Sequence, residues 1–217
     1  MPLGPTAPAL LIALLALGEP APEPAPEGPA PATAAATGET LRFNQDRRRL
    51  QLGGMLTLTT WAVANLSGGA VGFFTSEDER KFFHQMNALW NLVNLPLGIV
   101  GLVSAVREDP RERDAAAARE ASRKQQRVYL INTALDLVYI MGGGLSWALG
   151  AQHEVPRAVG YGQSVVLQGG FLLLFDGVMT ALHERRLKRF NRSQRVRLAP
   201  TLSVGPTGAS LRVGGQF

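Results

Sequence analysis

Histidines, carboxamides and carboxylates recur at helical spacing inside apolar sequence, and these are the side chains whose arrangement could do chemistry. In FFHQMNALWNLVNLPLGIVG, His84, Asn87, Asn91 and Asn94 follow one another at +3, +4 and +3. On a helix they occupy an arc of roughly 80°, at about 100° per residue. Asn132, Asp136, Tyr139 and Gly143 fall in a similar arc of a later segment, and Thr57, Trp61, Asn65, Gly68 and Gly72 align in an earlier one. In the last segment Tyr161, Ser164, Gln168 and Met179 align, with Asp176 and His183 toward one edge. Hydrocarbon offers a polar group no partner, so such side chains satisfy one another or face water. They can glue helices together, bind a small molecule, lipid or ion, or line a transport path. Glue is the plainest reading, a ligand or ion pathway comes second, and catalysis last.

The elements that must carry these faces are four apolar stretches, 53–75, 82–106, 128–150 and 158–182. Each is near the ~20 residues a spanning helix needs. Counted from the arginine-rich end, Asn65 and Asn94 lie about twelve residues in and Asp136 about nine, at ~1.5 Å per residue. That height is close to mid-membrane, where an ionised Asp136 costs about 2.5–3.5 kcal/mol. The expectation is that the Asn65 and Asn94 amides hold it. Small residues in the stripes (Gly68, Gly69, Gly143, Gly170) would let the helices approach closely.

Enzymatic chemistry finds little support. The chain of 217 residues has no cysteine, which excludes disulfides and thiolate chemistry. No G-x-S-x-G, H-E-x-x-H or Walker pattern occurs, and no cofactor is expected. His84 and His153, near Glu79 and Glu154, are weak candidates for a zinc site. Their spacing is irregular, so interfacial histidines are the plainer reading.

The whole is therefore an all-α transmembrane four-helix bundle over 41–184. Residues 1–21, with the apolar run ALLIALLAL, read as a signal peptide or apolar targeting segment that lacks a basic start. Residues 22–40 form a Pro/Ala-rich linker that cannot build a core. Asp109 followed by Pro110 suggests a helix N-cap and first turn. Residues 185–217 comprise a basic juxtamembrane stretch and a short tail, where Gly205-Pro206-Thr207-Gly208 separates two alternating runs that suit a β-hairpin.

The net charge of +5 is concentrated beside the spans. Arg47–Arg49, the connection after the second span and the segment after the fourth share one membrane face. The opposite face carries only Arg80, Lys81 and Arg157. The expected partners are membrane lipids, with anionic headgroups at the basic face, rather than nucleic acid; no protein partner can be read. The bias places both termini in the cytoplasm, whereas a cleaved signal peptide would place the mature N-terminus outside.

Phe43-Asn44-Gln45, Trp61-Ala62-Val63-Ala64-Asn65 and above all the string FHQMN-x-x-WN-x-VN over 83–94 carry a resemblance. So do Leu135-Asp136-Leu137-Val138-Tyr139-Ile140, Gly160-Tyr161-Gly162-Gln163-Ser164, Leu167-Gln168-Gly169-Gly170-Phe171 and Phe175-Asp176. From about Leu41 onward the chain resembles an uncharacterised family of small bacterial four-helix membrane proteins. The resemblance implies a signal-like N-terminus, four helices and a short β-like tail; the expected location is the bacterial inner membrane. The resemblance implies no activity, and it weighs toward the signal peptide. The expected function is thus a structural or accessory membrane protein with a polar seam, the alternative being small-molecule, lipid or ion binding or transport through that seam.

Overall fold

The computed structural model describes residues 38–196, 201–205 and 208–212. The targeting segment (1–21) and almost all of the linker (22–40) lie outside the described residues. Four helices follow in order: α1 (Gly38–Thr75), α2 (Asp78–Arg107), α3 (Ala115–Gln152) and α4 (Pro156–Val196). Strands β1 (Thr201–Gly205) and β2 (Gly208–Arg212) pair antiparallel, with Thr201 opposite Arg212.

Each expected apolar stretch lies within one helix, but α1, α3 and α4 run well past it at the basic end. Alanines and arginines continue α3 upstream, as good helix formers do. Its N-cap is Asp114, whose side chain accepts from the Ala117 amide at 2.8 Å. Asp109 does not start this helix. Its carboxylate instead accepts from the Arg111 amide in a tight turn, and Pro110 stays in the connection. The C-terminal carbonyls of α2 are capped from another helix: Arg48 donates to the Ala105 and Val106 oxygens at 2.8 and 2.9 Å.

Burial is inverted relative to a water-soluble bundle. Asn87, Asn91, Asn94, Asp136, Ser164, Gln168 and Asp176 are buried, while Val71, Phe74, Val100, Met141, Leu145 and Leu174 are exposed. Amides inside and large aliphatics outside is the distribution that hydrocarbon solvent selects. Three helices, α2, α3 and α4, are long and apolar enough to cross a membrane. α1 falls short of that hydropathy because Gly, Thr, Ser and Asn dilute its apolar residues, although Leu56, Val63, Val71 and Phe74 face outward from it.

The helices form two hairpins, α1 on α2 and α3 on α4, which dock chiefly through α2 against α4. Glycines set these contacts. A Cβ on Gly69 of α1 would sit 2.7 Å from the His84 carbonyl oxygen of α2. One on Gly160 of α4 would run into the backbone of Glu79 and lie 2.6 Å from the Phe83 nitrogen, and one on Gly143 of α3 would lie 3.0 Å from the Gly162 oxygen. Gly68 and Gly170 have nothing within 4 Å at that position. Only two of the four expected small residues therefore mark a close approach. Correspondingly, the buried face of α1 runs through Met55, Leu58, Ala62, Gly69 and Gly72, turned away from Thr57 and Gly68.

At the basic end the helices hold a small apolar cluster of Phe43, Ala118, Leu187 and Phe190, with Phe43 stacked on Phe190 at 4.2 Å between ring centroids. A second cluster, Met55, Leu58, Tyr129 and Met179, lies deeper. We expect Gly69→Ala and Gly160→Ala to lower the melting temperature of the purified protein, by an overpacking cost of about 1–3 kcal/mol each. Gly68→Ala and Gly170→Ala should stay within about 0.5 kcal/mol of the parent in the same assay.

Candidate functional site

The helix stripes meet in a polar seam, and Gln168 is its node. Its Oε1 accepts from the Trp61 indole at 2.9 Å, and its Nε2 donates to the Asn65 and Asn87 side-chain oxygens at 3.1 and 2.9 Å. Asn87 also accepts from the Ser164 hydroxyl at 2.7 Å. Asn65 returns its own amide to the Trp61 carbonyl, and the Trp61 ring stacks on Phe171 at 3.9 Å. Five polar side chains from α1, α2 and α4 thus close on one another. Gln168 and Ser164 are fully buried. Farther along α2, Asn91 donates to the Asn87 carbonyl and Asn94 to the Asn91 side chain.

The other half of the seam is open. Asp136 of α3 and Asp176 of α4 face a common space, with Asn132 beside them. The Asp136 Oδ2 is buried with no hydrogen-bond partner among the described residues. These groups, with Asn94, Trp90, Tyr139 and Phe175, line a cavity of about 100 Å³. That is room for water or a small polar ligand.

The expected pairing of Asp136 with Asn65 and Asn94 is therefore corrected. Asn65 belongs to the Gln168 cluster, and Asn94 only shares the cavity wall with Asp136. The reason is helix order: α3 packs on α4, so the neighbour that reaches Asp136 is Asp176.

His84 packs its ring where a Cβ on Gly72 would lie, and its Nδ1 has no partner among the described residues. His153 is the exposed C-cap of α3. Among the described residues no three His, Cys, Asp or Glu side chains come together to hold a metal. Near the same end Tyr161 donates to Gln85 at 2.9 Å and receives Arg157 at 3.2 Å. Periodicity does not single out Gln85, since it lies off the α2 stripe. Its one signal is its position between His84 and Met86, on the edge facing Tyr161.

His183 closes the seam at the basic end. It is 1% exposed, stacks on Tyr129 at 5.6 Å, and its Nε2 has no partner among the described residues. Burial first, then the positive charges of Arg47 and Arg186, hold it down to about 4. With the folded value below the ordinary 6.5, the folded state binds fewer protons than the unfolded one. This contribution to stability is complete above pH 6.5 and is lost as pH falls toward 4. Its size is about 3 kcal/mol. Melting curves at pH 7.5 and 4.5 should show a smaller acid-induced drop for His183→Gln than for the parent.

Three comparisons bear on this seam. The curated proteins contain no match to the chain, and neither do the solved structures. Residues 57–177 match the family described as a family of unknown function, DUF6992. That match spans the closed network, the acid pair and every seam residue between them, and it covers more than half of the sequence. The chain, with its helices apolar enough to cross a membrane, belongs to the DUF6992 family of unknown function.

Proposed function

We propose that this is a multi-pass protein of the bacterial inner membrane, crossing it four times with its basic end in the cytoplasm, and that its role is structural or accessory. The observation that carries this reading is the closure of the Gln168 network. Trp61, Asn65 and Asn87 use the carboxamide's donor and acceptor capacity, and Ser164 donates in turn to Asn87. A transport path needs space along its axis, whereas packing specificity needs filled contacts. The outward aliphatics of α1 support a fourth crossing despite its diluted hydropathy. Arginines of α1, α2, α3 and α4 gather at one end, which supports the orientation and contact with anionic lipid headgroups.

A second reading is favoured by one specific feature, the acid-lined cavity. With Asp136 Oδ2 unpartnered among the described residues and Asn94 and Asn132 beside it, that half of the seam suits a small cation or polar molecule. In this reading Asn65, Asn87, Asn91 and Gln168 position α2 and α4 around the pocket, and Asn94, Asn132, Asp136 and Asp176 contact the ligand.

A double-mutant cycle on Trp61→Phe and Gln168→Leu, read by unfolding in mixed micelles, separates the two. The packing role predicts a coupling near 0.6 kcal/mol and no more than about 1.7. A coupling of zero, with both single variants as stable as the parent, would remove it. In the same assay the second reading predicts a sodium- or potassium-dependent rise in melting temperature that Asp136→Asn abolishes. A compartment-specific reporter fused after Phe217 should be active only in the cytoplasm.

A further inference from the structure

The basic end of the bundle contains a second cleft, which shares no lining residue with the acid-lined cavity. The connection between α2 and α3 folds back over α1, held there by Asn44. The buried Asn44 amide donates to the Pro110 and Arg113 carbonyl oxygens at 3.0 Å each. This fold-back brings Arg107 and Arg113 to the side of α1 that carries Arg47 and Gln51. Gln125 of α3 completes the wall of a cleft of about 410 Å³.

Arg47 is the unusual member. Its side chain is 5% exposed, it pairs with Glu108, and its Nη1 reaches Gln125 only at 3.4 Å. Its Nε is buried with no hydrogen-bond partner among the described residues. Burial, with the nearby charge of Arg113, brings this guanidinium down to about 10. Glu108 serves Arg113 as well, at 3.5 Å, so one carboxylate is divided between two guanidinium groups. Arg107 brings a third positive charge, and Glu112 is the other carboxylate in the wall. The cleft is thus short of negative charge around a buried, incompletely bonded arginine, and forked guanidinium donors match phosphate oxygens.

We propose that this cleft binds a phosphate group, carried by a lipid headgroup or by a soluble phosphate. The headgroup source rests on the reading that the basic end lies at the membrane surface; the phosphate chemistry does not. Arg113 and Arg107 take the exposed oxygens, Arg47 supplies its free Nε–H from below, and Gln51 and Gln125 donate from the sides. The cleft is large enough for a whole phosphodiester headgroup, and it opens at the height where arginines of all four helices mark the interface.

The test uses the full chain purified in a neutral maltoside detergent, titrated with inorganic phosphate, short-chain phosphatidylglycerol or phosphate-free short-chain diacylglycerol. Binding is read by calorimetry and by the shift in melting temperature. Phosphatidylglycerol should bind saturably at one site and diacylglycerol should not. Saturable binding of inorganic phosphate at comparable concentration identifies a soluble source, and its absence identifies the headgroup. Arg107→Gln with Arg113→Gln, both outside the buried core, should weaken binding about a hundredfold, roughly tenfold for each guanidinium–phosphate bond removed. Arg185→Gln, on the same face and outside the cleft, should leave it unchanged. The proposal is overturned if neither phosphate compound binds, or if the double variant binds as tightly as the parent. Extraction of native membranes with alkaline carbonate keeps the two readings apart. A chain that washes off yet still binds phosphate loses its membrane assignment while the anion site stands.

Discussion

An amide side chain surrounded by hydrocarbon has only other protein groups to bond with, and this requirement organises the molecule. It explains why Gln168 is fully buried while Leu174, a few residues away on the same helix, faces out. It also explains why α1, α2 and α4 meet where they do. Trp61, Asn65, Asn87 and Ser164 can be satisfied together only if one carboxamide reaches all of them or their neighbours. Each bond is worth less than 1 kcal/mol on average in membranes. Their collective value lies in geometry, since a rotated or slipped helix would leave several groups unbonded at once.

Glycine provides the second constraint. The seam's hydrogen bonds need backbones close enough for short side chains to meet, and Gly69, Gly143 and Gly160 allow that approach at three different interfaces. Packing and polarity are therefore coupled. A methyl group at one of these positions would push the helices apart and lengthen the bonds that the amides make.

The four helices and their polar faces can be read from periodicity, because apolar length and a 3.6-residue repeat are local properties. Asn87, Asn91 and Asn94 do share a buried face, as do Asp136 with Gly143 and Ser164 with Gln168. The partners cannot be read. Periodicity gives the angle of a face but not the order of helices around the axis, so it matches Asp136 to α1 and α2 when α4 stands beside it. On α1 the aligned Thr57 and Gly68 mislead, since a threonine can satisfy itself within its own helix. Thr57 does so through the Gly53 carbonyl at 3.0 Å. The Arg47 cleft is invisible for a different reason. It exists because Asn44 captures the carbonyls of a loop 66 and 69 residues away, and no local pattern encodes that contact.

The hairpin arrangement has a consequence for biogenesis. During synthesis α1 and α2 leave the ribosome long before α4, and the two can pair at once through Gly69. Until Gln168 arrives, 81 residues after Asn87, the Trp61 indole and the Asn65 and Asn87 oxygens have no partner within that first hairpin. The half-made protein therefore carries exposed hydrogen-bonding capacity into the lipid. Completion of the second hairpin conceals that capacity.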